Sequence, residues 1–317
     1  MNTLKWLLKR EFWENRSLLL WPNLLVSAVM ILFSLIAVFK NLHEDRYAVI
    51  LHHGVPLSEV QFSDMTSRVA GGSGLLMLGF FMLAMVLTMY SYLSGALSDE
   101  RKDRSILFWK SMPVSDAATV LSKAIFGVVV FPVTMIVFAF SSNLICLLII
   151  CTSYALNGVN LFVPVLFHHD AWQPVYLAIF NFPIYLAWSV LTVGWLLLVS
   201  SSLNKRVGLW VVLGPVGVFF FFVWMSSQFG LDWNVRHFGY FVVGRLIFSL
   251  IPCGWLFSNE IAQQYLLIQG QKEKIEWLFQ IMRDPQWQLF AHWNIWVGMI
   301  VGAGMILAAI KIRRWRE

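Results

Sequence analysis

Polar positions along this chain are gathered between long apolar runs rather than alternating with them. Six runs, at about 21–40, 71–94, 124–152, 178–203, 207–226 and 293–312, are long enough to cross roughly 30 Å of hydrocarbon as helices. A seventh, at about 239–258, is interrupted by Gly244, Arg245, Pro252 and Gly254. Freed backbone groups at membrane depth are tolerated only inside protein or beside water. The seventh run therefore predicts a broken re-entrant or outward-leaflet hairpin, not another span. The expected fold is an all-α integral membrane protein with six transmembrane helices in one membrane domain, 1–317. The first run lacks a small-residue cleavage pattern and reads as a retained anchor.

The connecting segments add detail. Residues 1–20 read as a helix on which Lys5, Lys9 and Arg16 form one stripe with Trp6 and Trp13 beside it. A basic stripe next to indoles suits an interfacial helix on an anionic leaflet; an ordinary juxtamembrane flank would look similar. Glu11 breaks the pattern, because it falls among Leu4, Leu7 and Leu8, and a protein partner is one reason for an acid there. Pro22 is placed in the first turn of the first span. Gly71-Gly72-Ser73-Gly74 allows a bend or a close approach at the start of the second. The segment 153–177, with Asn157-Gly158, Pro164 and Pro174, predicts turns. The link Asn204-Lys205-Arg206 is so short that the fourth and fifth spans must be antiparallel neighbours. The region 227–292 ends in a polar stretch, 259–290, predicted to be helical and to stand in the outer compartment.

Composition agrees with the pattern: 59% of residues are hydrophobic and 13% charged, with 16 Trp and 26 Phe, and the mean hydropathy is +0.70. Basic residues then set the orientation. With both termini inside, segments 1–20, 95–123, 204–206 and 311–317 hold most of the 23 Lys and Arg. The rest are Lys40, Arg46, Arg68, Arg236, Arg245, Lys272, Lys274 and Arg283. This bias predicts an N-in, C-in topology. The net charge of +6 is accordingly a topology signal and not a nucleic-acid footprint.

Candidate chemistry within the spans is sparse. Cys146, Cys151 and Cys253 match no zinc or redox spacing. The seven histidines, including the pairs His52-His53 and His168-His169, fall in outer segments or at their edges, without HxxxH or HExxH spacing; no metal site is expected. Ser141, Ser142, Asn143 and Asn181 suit interhelical hydrogen bonds or a translocation path. The aromatic run Phe219 to Phe222 with Trp224 suits lipid contact, a lipophilic cargo or a dimer partner. Arg245 is the exceptional charge, costing roughly 2.5–3.5 kcal/mol at a bilayer centre. It is a candidate outer gate or anionic-headgroup ligand; the alternatives are snorkelling to the interface or pairing with Asp232.

The most informative polar segment is Ser98 to Lys123, SDERKDRSILFWKSMPVSDAATVLSK, between the second and third spans. Charges interleave along it: Arg101, Lys102, Arg104 and Lys110 with Asp99, Glu100, Asp103 and Asp116. Phe108, Trp109 and Met112 supply apolar anchors of the kind that dominate interfaces. Pro113 with Ser115 and Asp116 ends one helix and offers caps for the next. On Glu100, Arg101, Asp103, Ser105, Leu107, Pro113, Val114, Ser115 and Lys123, the loop 95–123 resembles the cytoplasmic loop of type-2 ABC exporter permeases. Arg104 departs from the Gly common in that family before the Ser or Thr. The layout is similar too: a basic helix before the first span, six spans, and a broken element before the last.

The resemblance implies a coupling loop, with Glu100, Arg101, Arg104, Ser105, Phe108, Trp109, Met112 and Pro113, that docks on a separate ABC ATP-binding subunit. It implies two permease copies, identical or related, in a bacterial inner membrane. ATP and Mg would be bound by the partner, since this chain has no GxxxxGK[ST] stretch to cradle phosphates. The implied activity is ATP-driven export by alternating access. Aromatic-rich spans suggest an amphipathic or lipophilic cargo. A different expectation is an ATPase-linked membrane anchor of an envelope or signalling complex that moves no solute. A third, an intramembrane enzyme, lacks paired carboxylates, HExxH or a Ser-centred elbow. On the resemblance alone, replacing Glu100 and Arg101 together by alanine should spare insertion and uncouple ATP hydrolysis from transport.

Overall fold

The computed structural model describes residues 3–43, 51–52, 55–56, 59–103, 114–156, 160–230, 235–239, 243–257, 267–268, 270, 273 and 286–315. Six helical segments among them are long and apolar enough to cross a membrane: Arg16–Phe39, Gly71–Lys102, Asp116–Leu156, Phe182–Ser202, Val207–Phe229 and Trp293–Trp315. These are the six expected from hydropathy. Residues 239–258 contribute none; their described backbone is broken into short helical pieces.

Two compact units are formed. One comprises Met1–Leu19, Val86–Pro132 and Asn181–Glu317; the other comprises Leu20–Met85 and Val133–Phe180. Helix α1 is Thr3–Glu14 and α2 is Arg16–His43. Asn15 is a bend between them: its N–H bonds the Glu11 carbonyl at the end of α1, and its carbonyl accepts from Leu19 N at the start of α2, both at 3.0 Å. Helix α2 thus starts before the apolar run. Pro22 lies inside α2 rather than in its first turn, and removes one backbone donor there. A two-residue antiparallel ladder, β1 (Leu51–His52) with β2 (Val55–Pro56), precedes α3 (Glu59–Gly95).

Helix α3 runs through Gly71 to Gly74 without a break. The close approach is real at Gly74: an added Cβ would lie 3.0 Å from the Pro174 ring and 3.2 Å from the Asn143 side chain. After a two-residue turn comes α4 (Ser98–Lys102), then α5 (Asp116–Ile125). A π-helical turn, Phe126–Val130, joins α5 to α6 (Phe131–Leu156).

The segment 153–177 is not mostly turns. It holds the end of α6, α7 (Phe162–Leu166) and most of α8 (His169–Phe180). Both prolines sit within these helices, and the Trp172 indole donates to the Leu166 carbonyl at 2.5 Å between them. Burial explains the preference: Leu161, Val165 and Ala171 close an apolar cluster with Leu147 and Cys151. Asn143 Nδ2 donates to the Ala171 carbonyl at 3.3 Å, and Ser142 Oγ to Ser27 Oγ at 2.8 Å. These polar residues serve interhelical bonding, one of their two expected uses.

The expected fourth span, 178–203, is broken at its start. Helix α9 (Phe182–Ser202) begins after a turn at Asn181, with Pro183 in its first turn where no donor is required. Two thirds of α9's apolar window is buried, the most of any span. Helix α10 (Val207–Phe229) is its antiparallel neighbour as the short link demands; the Trp195 indole donates to the Val211 carbonyl at 3.0 Å. Then follow α11 (Val235–Gly239), α12 (Arg245–Phe248), 3-10 turns at Gly254–Phe257 and Trp287–Ala291, and α13 (Trp293–Trp315). The expected helix over 259–290 falls mainly outside the described residues.

Helices α9 and α13 form the closest pairing. The buried positions of α13 are Ile295, Gly298, Gly302, Ala309 and Arg313, one stripe at helical spacing. A Cβ at Gly302 would lie 2.5 Å from the Val190 carbonyl oxygen, and one at Gly194 would strike the Gly302 carbonyl. Small residues here bring two backbones into contact, as in membrane helix pairs generally.

Candidate functional site

Two polar centres lie within the first unit, one at the C-terminal end of α9 and one against Trp188 and Thr192 of the same helix. The larger surrounds the start of the charged loop. Glu11 of α1 is 1% exposed, Glu100 of α4 9%, Lys123 of α5 3% and Arg313 of α13 3%. Charges so buried must be paired and hydrogen-bonded, and they are. Glu100 Oε2 accepts from Arg313 Nη1 at 2.7 Å. Its Oε1 accepts from Arg10 Nη2 and pairs with Lys123 Nζ, both at 3.1 Å. Glu11 Oε1 pairs with Lys123 Nζ and with Arg10 Nη2, both at 2.9 Å, and its Oε2 accepts from the Tyr92 hydroxyl at 2.8 Å. Arg313 Nε reaches Asp116 Oδ1 at 3.2 Å. Among the described residues three cations thus face the three carboxylates of Glu11, Glu100 and Asp116, whose formal charges they balance, and the exposed Glu14 is a further partner of Arg10.

Arg313 has a special position in this network. It bonds Glu100, just before the segment 104–113, and Asp116, just after it. One guanidinium from the last helix therefore closes the base of the loop. Downstream, Ser115 Oγ accepts from Ala118 N at 3.2 Å and caps α5, as its sequence position predicts.

Arg101 fixes the upstream side differently. Its guanidinium donates to the carbonyls of Ser200 (2.5 Å), Leu203 (2.8 Å) and Ser201 at the end of α9. Last-turn carbonyls lack intrahelical partners, and the helix dipole favours a cation beside them. In return, Ser200 Oγ accepts from Leu97 N and Ser98 N, both at 3.1 Å, at the start of α4. Arg101→Lys keeps the charge but loses the planar fork. It is expected to lower stability by about 1.5–3 kcal/mol, the worth of hydrogen bonds to a charged group, read as a lower thermal midpoint in detergent. An unshifted midpoint would refute the carbonyl clamp.

The contacts of Glu100 and Arg101 described above lie within the chain, while Lys102 and Asp103 are exposed and Lys102 Nζ pairs with Asp99 Oδ1 at 2.7 Å. Glu11 is partnered within the chain by Arg10, Lys123 and Tyr92. Arg104, Ser105, Phe108, Trp109, Met112 and Pro113 lie outside the described residues. Above the network, Tyr92, Phe126 and Phe131 pack as three rings with centroids 5.2–5.5 Å apart, at the ends of the π turn. Gly127 of that turn faces Leu93, whose Cδ2 would be 3.0 Å from an added Cβ.

The second centre is Arg245. It is 3% exposed, so it does not snorkel to a surface. Its guanidinium carbon lies 4.1 Å from the Trp188 ring centroid, and Nη1 donates to the Asn294 carbonyl at 2.6 Å. The Arg245 carbonyl accepts from Thr192 Oγ1 (2.9 Å) and Ser249 Oγ (2.6 Å). Gly298 leaves the room that the guanidinium fills. Arg245 therefore ties α12 to α9 and α13. A mainly apolar pocket of about 350 Å³ lies beside it, lined by Trp188, Phe248, Ile251 and Gly254 among others. Asp232, the other expected partner, lies outside the described residues.

The predicted basic stripe is exposed: Lys5, Trp6, Lys9, Trp13 and Arg16 all face away from the buried side of α1, which carries Leu7 and Glu11. Among the described residues no group of three or more His, Cys, Asp or Glu side chains is placed to hold a metal ion.

Fold and polar centres together define a helical, multi-pass membrane protein. Comparison with protein-family models, with curated proteins and with solved structures returned no match.

Proposed function

We propose that this chain is the permease subunit of an ATP-driven exporter of the type-2 ABC kind, in a bacterial inner membrane. The loop 95–123 is then the cytoplasmic element that meets a separate ATP-binding subunit, with both chain termini on that side. The observation that carries the reading is the Arg313 bridge between Glu100 and Asp116. A loop that only connects two spans has no need of a buried, charge-balanced base. A loop that receives force does, because closely packed, ion-paired elements pass displacement on instead of absorbing it.

In this mechanism the partner binds and hydrolyses ATP with Mg, and its closing moves segment 104–113. The displacement reaches α4 and α5 through their shared bonds to Arg313. It passes to α13 through the same residue, and to the end of α9 through Arg101. Since α9 and α13 touch backbone to backbone at Gly194 and Gly302, they move as a pair. Two permease copies would enclose the path, and its apolar, aromatic walls suit an amphipathic or lipophilic cargo. This chain supplies no catalytic group of its own.

The test is copurification. Tagged protein in mild detergent should retain a soluble ATP-binding subunit, and should lose it when Ser105–Pro113 is replaced by a Gly/Ser linker. Failure to recover such a subunit in several detergents and in nanodiscs would overturn the reading. An ATPase-linked anchor of an envelope complex would also pass this test. Uptake of a lipophilic cationic dye into inverted vesicles, present for an exporter of such cargo and absent for an anchor, separates the two.

A further inference from the structure

Helix α1 presents two faces with different tasks. One is consumed by the buried network through Leu7, Glu11 and Arg10. The other carries Lys5, Trp6, Lys9 and Trp13, which at 100° per residue share a sector of about 100°, and Arg16 follows just past the bend at Asn15. Trp6 is 58% and Trp13 57% exposed, so more than half of each residue's surface is open. Each is paired with a cation three residues on: Lys9 Nζ lies 5.2 Å from the Trp6 ring centroid, and Arg16 Cζ 5.8 Å from that of Trp13. The two indoles, seven residues apart on α1, face the same way.

The surroundings specify what covers this face. Helix α1 ends at the bend at Asn15, and the first apolar span begins at the next residue, Arg16. Arg16 thus both adjoins the stripe and is the first residue of a span, which places the stripe at the boundary between hydrocarbon and water. Indoles are enriched at that depth. Ammonium and guanidinium groups there meet headgroup phosphates, and each contributes where the leaflet is anionic. The acid nearest the stripe in sequence, Glu14, pairs with Arg10 Nε at 3.1 Å, away from Lys9 and Arg16.

We propose that the outer face of α1, with Arg16 beside it, is a docking surface for anionic phospholipid, where Lys9 and Arg16, each laid over the indole three residues before it, each hold one headgroup phosphate. A bound lipid presses the opposite face, and with it Glu11, against Lys123 and Tyr92. The proposal stands whether or not an ATPase docks on the loop, and its test needs no ATPase.

Native mass spectrometry of the full chain, with phosphatidylglycerol or phosphatidylcholine added in equal amounts, reads this directly. The wild-type chain should retain phosphatidylglycerol preferentially. Lys9→Gln with Arg16→Gln should cut that retention by about tenfold or more, from roughly 1 kcal/mol for each basic group near an anionic surface, and should leave phosphatidylcholine unchanged. Lys311→Gln with Arg314→Gln, exposed at the end of α13, removes the same charge elsewhere and should leave both unchanged. Equal retention of the two lipids by the wild type, undiminished phosphatidylglycerol on the stripe variant, or an equal loss on the α13 variant would overturn the proposal. Equal thermal midpoints of the wild type and both variants in phosphatidylcholine nanodiscs establish that all are folded; a lower midpoint for the stripe variant there would mean a structural role and would also overturn it.

Discussion

Glu100→Ala should destabilise the protein by roughly 3–5 kcal/mol, the cost of removing one member of a buried ion network. Arg10, Lys123 and Arg313 each lose a carboxylate partner, and one positive charge is left uncompensated among side chains that water barely reaches. The apparent thermal midpoint should fall on the order of 10 °C, scaled from domains of 150–250 residues. Glu100→Gln keeps the shape and should cost a similar amount, because the amide neutralises nothing and brings two donors towards three cations. Paired with Arg313→Met, a double-mutant cycle should show a coupling above about 1 kcal/mol. Additive effects would remove Arg313 from the network. The same result reinterprets any loss of coupling after replacing Glu100 and Arg101 together: such a variant loosens the base of the loop before it touches a partner. Docking is better tested in segment 104–113.

The second large effect is expected at Gly302. Gly302→Val places branched carbon where an added Cβ already lies 2.5 Å from the Val190 carbonyl oxygen and 2.8 Å from the Leu191 Cα. Neither contact is the tip of a flexible side chain, so α9 and α13 must separate along their length. Overpacking of ordinary cores costs about 1–3 kcal/mol; a backbone-to-backbone contact should reach or exceed the upper figure, and size-exclusion profiles in detergent should broaden or lose the main peak. Gly304, two residues along the same helix, is the control. Nothing lies within 4 Å of its added Cβ, so Gly304→Ala should be neutral or stabilising by up to about 1 kcal/mol, since glycine is a poor helix former. Equal behaviour of the two variants would contradict the close crossing.

Hydropathy made the six spans legible, because crossing hydrocarbon demands long apolar runs whatever packs against them. It failed where burial inside protein replaced burial in lipid. Pro164 and Pro174 signal turns locally, yet α7 and α8 form because Val165 and Ala171 gain a cluster with Leu147 and Cys151. The loop's charges were readable in the sequence, but the direction of Glu100 and Arg101 was not. Their partners on α9 and α13 lie 99 and 213 residues away, and no local pattern encodes such a distance. One signal was available. Glu11 among leucines on the apolar side of α1, and Lys123 within the apolar sequence Val120 to Phe126, are each out of place alone and satisfied together. Arg313 had been counted with the basic residues that orient the last span; that count cannot tell a solvated arginine from a buried one.

The charge balance around Glu100 also bears on how the protein is made. Arg10, Glu11, Glu100, Asp116 and Lys123 emerge from the ribosome well before Arg313. Until the last helix enters the bilayer, this set carries one surplus negative charge and the two ends of the loop share no bridge. Arrival of Arg313 neutralises the surplus and joins those ends in one step. Insertion of the helix that carries Arg313, and not of any earlier one, is then the step that a membrane protease surveying nascent proteins would register.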